Sequence, residues 1–166
     1  MAITSYLSRV IFKESSWTPD TVNYSFAGKY KLLVRAKTVP SPVSTPNTVE
    51  STTLEDDAQT FEMGVKSSDA KEVSGNLEKE YLDAIEDIAG KKIDIMYLYG
   101  TDGVGGVAKY AHVGQATATP SDIGGVDEIV GMTVSIIPNT AAKKVTDNYT
   151  VTYDESTGEF TVTAKS

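Results

Sequence analysis

The chain is rich in carboxylates and poor in every other reagent. Glu55-Asp56-Asp57, with Glu62 close by, is the densest run of hard oxygen ligands, and calcium is the cation such oxygens take. The spacing matches no EF-hand, and consecutive residues of an extended segment point to opposite faces. The plainer reading is an acidic surface kept charged for solubility or assembly, so no metal site is expected. Gly100-Thr-Asp-Gly-Val-Gly-Gly106 has the glycines of a phosphate cradle. A cradle needs a strand before it and a helix N-terminus after it; here strand patterns flank it on both sides, which reads as a hairpin connection. The one histidine, His112, lies in Tyr110-Ala-His-Val113, with no fixed Ser or Asp partner, no G-x-S-x-G and no HExxH. A structural surface or core histidine is expected there. Two carboxylates could form a hydrolytic pair, but nothing in the spacing selects them. Cysteine is absent, which removes disulfides, thiolate metal sites and thiol nucleophiles together. No catalytic residue, no cofactor and no enzymatic activity are expected.

The elements that carry these residues are mostly strands. Gly28 to Pro40 places Lys29, Lys31, Leu33, Arg35 and Lys37 on one face and Tyr30, Leu32, Val34, Ala36 and Thr38 on the other, the period-two pattern of a half-buried strand. Its basic face reads either as solvated surface or as a partner for acidic residues of a neighbouring subunit. Phe61–Val65 reads as a short strand, and Lys71–Leu77 as a strand or the start of a helix. A helix is expected over about 78–89, with Tyr81, Leu82, Ile85, Ile88 and Ala89 on one stripe and Asp83, Glu86 and Asp87 in water. Glu78 and Glu80 suit its positive end, and Gly90-Lys91-Lys92 its negative end. Ile93–Tyr99, Val107–Ala118 and Val130–Ile137 continue the strands. A hairpin over 147–164 turns at Glu155-Ser-Thr-Gly158. Regular strands with one helix predict a mainly β fold, a β-sandwich or barrel with one flanking α-helix, in a single domain over residues 1–166.

One segment fits none of these elements. Pro40 to Gly64 carries five acidic residues and no lysine or arginine. Three prolines discourage helix there, while Val49 to Leu54 is β-prone. A loop this long in a compact domain usually has a function, and an extended, acidic arm over 40–60 reads as an assembly element. Charge is segregated along the chain. Residues 1–40 hold six basic and two acidic side chains, a surplus of +4; the whole chain is −8, leaving −12 for the rest. An anionic surface grips nucleic acid poorly, whereas opposite charge at two ends lets copies of one chain meet favourably. No apolar run is long enough to span a membrane, and the N-terminus lacks the pattern of a signal peptide.

The order of these segments is specific. It runs from the basic strand through the proline-rich arm and Val49-Glu-Ser-Thr-Thr-Leu-Glu-Asp-Asp57 to Glu62-Met-Gly64 and the helix with an acidic face. Lys92-Ile-Asp-Ile-Met-Tyr-Leu-Tyr-Gly100, the Gly-rich hairpin, Val113-Gly114 and Val126-Asp127-Glu128 follow, leading to Gly131-Met-Thr-Val-Ser-Ile-Ile-Pro138. Over about residues 28–140 this resembles the tail tube (major tail) proteins of tailed bacteriophages. The resemblance implies a β-sandwich with a flanking helix that forms hexameric rings. Rings stack head to tail into a tube through which the genome passes. It implies partners that are copies of the same chain and other tail proteins, such as tape measure, distal tail and terminator proteins. DNA would pass without specific binding, no membrane would be involved, and the protein would be made in the host cytoplasm and reside in the virion. Glu50, Glu55, Asp56 and Asp57 would then face the lumen or the seam between rings, where negative charge repels phosphate. Lys29, Lys31, Arg35 and Lys37 would lie at an inter-subunit contact or outside. The competing expectation is a β-sandwich adhesin or carbohydrate-binding module, which would need an exposed aromatic or metal-assisted sugar site.

Overall fold

A computed structural model describes residues 7–20, 24–43, 46–50, 53, 61–66, 70–127, 129–140 and 142–165, with the backbone alone for 46–50 and 61–66. The chain order is β1 (Arg9–Glu14), β2 (Gly28–Leu32), β3 (Ala36–Thr38), β4 (Pro46–Glu50), β5 (Phe61–Lys66) and β6 (Lys71–Asn76). Helix α1 (Lys79–Asp87) follows, then β7 (Ile93–Tyr99), β8 (Ala108–Pro120), β9 (Gly131–Pro138), β10 (Lys143–Lys144), β11 (Tyr149–Asp154) and β12 (Glu159–Ala164). Ten strands form one antiparallel sheet in the order β11-β12-β2-β1-β7-β8-β9-β6-β3, with β10 added to β8. The sheet curls into a half-barrel, mainly β with one helix, as the strand spacing predicts.

Alternation explains why the sheet is covered on both sides. In β1, Val10 and Phe12 enter one core while Ile11 enters the other; in β7, Ile93, Ile95 and Tyr97 split from Met96 and Leu98 in the same way. The first core is closed by α1, whose Ile85 is fully buried and whose Tyr81, Leu82 and Ile88 pack at its margin. The second is closed by the β11–β12 hairpin and β2, through Tyr149, Val151, Phe160, Val162 and Tyr30. Successive side chains of a strand point to opposite faces, so a central strand with cores on both sides reads as a continuous apolar run.

Three features depart from the sequence expectations. The arm's precursor, Gly28–Pro40, is not one strand. Its first part pairs β1 and β12, and its last part pairs β6 at the far end of the sheet. Between them Leu33 and Val34, adjacent in sequence, are both buried in the same core, so Leu33 leaves the basic face assigned to it. The Leu33 N–H still donates to the Val10 carbonyl at 3.0 Å; beyond that the chain passes over Gly75, where a Cβ would run into the Arg35 carbonyl. The strand Arg9–Glu14 is also central in the sheet, although its apolar triplet has no period of its own to announce it. Lys71–Asn76 resolves as strand, and the helix, the β7–β8 connection and the C-terminal hairpin lie where expected. Ala89, assigned to the helix stripe, is exposed beyond the helix end.

Candidate assembly surfaces

Three of the four singled-out basic residues converge. Lys31 on β2, Arg35 in the crossing and Lys37 on β3 line a cleft of ≈ 790 Å³, together with Arg9 from β1. Lys29 does not reach it; it sits exposed on β2, paired in register with Thr161. Arg9 is held by its surroundings. Its guanidinium lies 4.9 Å from the Tyr153 ring centre and 5.3 Å from that of Phe160, and its Nη1 donates to the Gly103 carbonyl at 3.3 Å. Cation–π stacking of this kind fixes the orientation of a guanidinium. A hydrogen bond with Tyr81 and the nearby Glu78 carboxylate push the Arg35 guanidinium further toward its charged form; the Glu78 Oε2 lies 4.0 Å from Arg35 Nε.

The cleft is neither purely basic nor purely polar. Glu80 and Glu159 line it beside Leu32, Val34, Tyr81 and Phe160. Glu159 is the register partner of Lys31, so the two side chains stand on the same face of the sheet. Asn76 also lines the cleft, and among the described residues its buried Oδ1 has no hydrogen-bond partner. A buried acceptor in that condition carries a desolvation cost of about 1–3 kcal/mol. Sequence patterning identified the lysines here but not Arg9, Asn76, Tyr153 or Phe160, which lie on four other parts of the chain and meet only through the sheet order.

The acidic arm behaves differently. Residues 46–50 and 61–66 pair as an antiparallel ribbon, with Val49 opposite Glu62 and Glu50 opposite Phe61. This ribbon is its own two-stranded sheet, and among the described residues its backbone ladder joins no strand of the main sheet. Glu50 therefore stands at the end of β4, while Glu55, Asp56 and Asp57 lie outside the described residues.

The groups that sequence could cast as reagents have structural partners. The Asp102 Oδ1 accepts from the Val104 and Gly106 N–H groups at 3.1 and 3.2 Å. Burial pushes that carboxyl up, but these hydrogen bonds, one from its own backbone N–H and the nearby Lys109 charge together hold the group below its ordinary range. The amides of the glycine-rich hairpin thus already face an anion belonging to the chain. His112 is core, its Nδ1 3.2 Å from the Val113 carbonyl and its Nε2 3.0 Å from the Tyr97 hydroxyl. A carbonyl only accepts, so Nδ1 carries the proton and Nε2 accepts from Tyr97. Burial pushes the His112 imidazole below its usual value, and the ring stays neutral. Asp94, fully buried in β7, accepts from Lys13 at 2.8 Å and from the Tyr24 hydroxyl at 2.7 Å. Burial, then the Asp94 charge, push the Tyr30 hydroxyl far up, and it donates to the Phe26 carbonyl. Among the described residues no cluster of His, Asp and Glu is arranged to hold a metal, and no helix is long and apolar enough to cross a membrane. No protein-family model and no curated protein matches the chain.

Proposed function

We propose that this protein is a structural virion component that polymerises as stacked hexameric rings to form a phage tail tube, the conduit for genome ejection. The observation that carries the reading is the β4–β5 ribbon, whose backbone ladder joins no strand of the main sheet among the described residues, while that sheet has a core on each of its faces. A lone two-stranded hairpin is marginal in water, and its outer edges present unpaired N–H and C=O groups that another chain can extend. The main sheet offers acceptor edges of its own: β11 at one end, with alternating buried Tyr149 and Val151 and exposed threonines, and the short β3 at the other. Joining ribbons and edges between copies removes both sets of open edges at once.

Charge supports the same reading. Glu50 lies on the ribbon, and Glu55, Asp56 and Asp57 follow it in sequence, so a ring of copies concentrates carboxylates near the ribbon. A lumen or ring seam lined in this way repels phosphate and lets DNA slide. Lys31, Arg35 and Lys37, with Arg9, gather instead in the cleft between β2, β3 and α1, which suits an inter-subunit contact.

Negative-stain imaging of the purified protein over a concentration series tests the proposal. Hollow tubes or six-fold rings are the expected result. Persistent monomers at every salt and protein concentration would overturn it. Reversing Glu50, Glu55, Asp56 and Asp57 to lysine should then block tube formation or slow DNA ejection, and unchanged assembly with unchanged infectivity would remove the acidic residues from the account.

A further inference from the structure

The β8–β9 connection is the most apolar exposed loop among the described residues. It is clamped at its base, where the Ser121 N–H donates to the Gly131 carbonyl and the Leu77 N–H to the Val130 carbonyl, both at 2.9 Å. Beyond that base Ile123, Val126 and Ile129 expose 85%, 103% and 71% of their surface. Isolated exposed aliphatics are ordinary, but three within seven residues of one loop make a patch of the kind that marks an interaction site. Asp122 and Asp127 stand exposed beside them, and Glu128 follows in sequence. Gly124 and Gly125 keep the tip slender; a Cβ on Gly125 would touch nothing.

We infer that this loop, through residues 122–127 and 129–130, seats in the basic cleft of the next copy of the chain. The inference rests on self-assembly as proposed above and names one of its contacts. The match has three parts. The loop brings aliphatic side chains, and the cleft offers Leu32, Val34 and the rings of Tyr81 and Phe160. The loop is acidic, and the cleft carries Arg9, Lys31, Arg35 and Lys37 against Glu80 and Glu159. The cleft lining also includes Asn76, whose Oδ1 has no hydrogen-bond partner among the described residues, an acceptor suited to a peptide N–H and not to a free anion. A volume of ≈ 790 Å³ is in the range that encloses a small ligand or a short peptide tip. Loop and cleft share no residue, so each contact leaves one loop and one cleft unused. That is the heterologous geometry that closes rings or propagates filaments.

A charge exchange tests it. Asp127→Lys and Lys37→Glu both alter exposed side chains, so the fold should survive, as circular dichroism can verify. Alone, each variant should need about tenfold more protein for half-assembly, because like charges then face each other. Mixed in equal amounts they should assemble as well as the wild type, since each mutant loop then meets the complementary cleft. The triple change Ile123→Ser/Val126→Ser/Ile129→Ser should abolish assembly with no rescue by either partner. Single variants that assemble normally, or a mixture without rescue, overturn the inference while leaving tube formation by the wild type intact. Rescue in a wild type that forms small oligomers but never hollow tubes supports the contact and overturns the tube. A wild type that stays monomeric throughout overturns both.

Discussion

Strand β7 and the β4–β5 ribbon are both extended β structure, and the two differ in how their backbones are paired. β7 has neighbours on both edges, with β8 paired along its whole length and β1 along all of it but Tyr99. It has cores on both faces, and all of its residues but Tyr99 are buried. The ribbon has one ladder and joins no other strand among the described residues. Hydrogen bonds cost most when a buried group loses its partner, and apolar burial stabilises in proportion to area. A strand with both is committed to the fold, whereas a ribbon whose backbone ladder joins no other strand among the described residues has edges available to a partner. Stability should therefore depend on the first region and association on the second.

The hardest way to break the first region is at Asp94. Replacing it by alanine leaves the largely buried Lys13 ammonium without its carboxylate, while the Tyr24 hydroxyl keeps Ser15 and Ser16 as neighbours, and should cost about 3 kcal/mol by urea unfolding. Lys13→Met should cost a similar amount, and combining it with Asp94→Leu should recover much of the loss, because the uncompensated charge goes with it. A loss confined to a few tenths of a kcal/mol would mean the pair is hydrated. Next comes Gly75→Ala. The added methyl pushes on the Arg35 carbonyl and should cost about 1–3 kcal/mol, with the crossing at 33–35 and the cleft disturbed together. Tm without any change would show that the crossing yields freely.

A smaller effect should appear as a pH dependence. The His112 imidazole is held below its ordinary value by burial, so the unfolded chain binds the proton first. Its contribution is complete above the unfolded value near 6.5, and it is lost progressively as pH falls below that toward the depressed native value. The Tm difference between wild type and His112→Gln should therefore shrink from pH 7.5 to 5.5. A difference that stays constant would mean that His112 keeps its ordinary value. At the bottom of the scale is the exposed Lys79–Asp83 pair on α1, 2.8 Å apart. Lys79→Ala should leave Tm within experimental error, as most surface ion pairs do.

Patterning read best where one element meets one environment. The stripe Tyr81-Leu82-Ile85-Ile88 located α1, and the alternation in 147–164 located the β11–β12 hairpin. It read least well where an element changes neighbours. Period two in Gly28–Pro40 says which side chains share a face, not that the chain leaves β1 for β6 at Leu33. That move depends on Gly75, more than forty residues away in sequence, having no Cβ. Arg9-Val-Ile-Phe-Lys-Glu14 is buried on both faces, and such a strand loses the alternation that would reveal it. The cleft was legible in part, through Lys31, Arg35 and Lys37. Its aromatic wall and Asn76 come from strands that only the sheet order brings together, and no local spacing encodes that.

The claim that the ribbon serves association rather than the fold is tested most directly by a mass measurement. Residues 44–66 are replaced by a short Gly/Ser linker, and the variant and the 17.8 kDa wild type are compared by sedimentation at a concentration where the wild type assembles. The account predicts that the wild type sediments as multiples of six chains and that the variant, folded, stays at the monomer mass. A variant that assembles as fully as the wild type would contradict it.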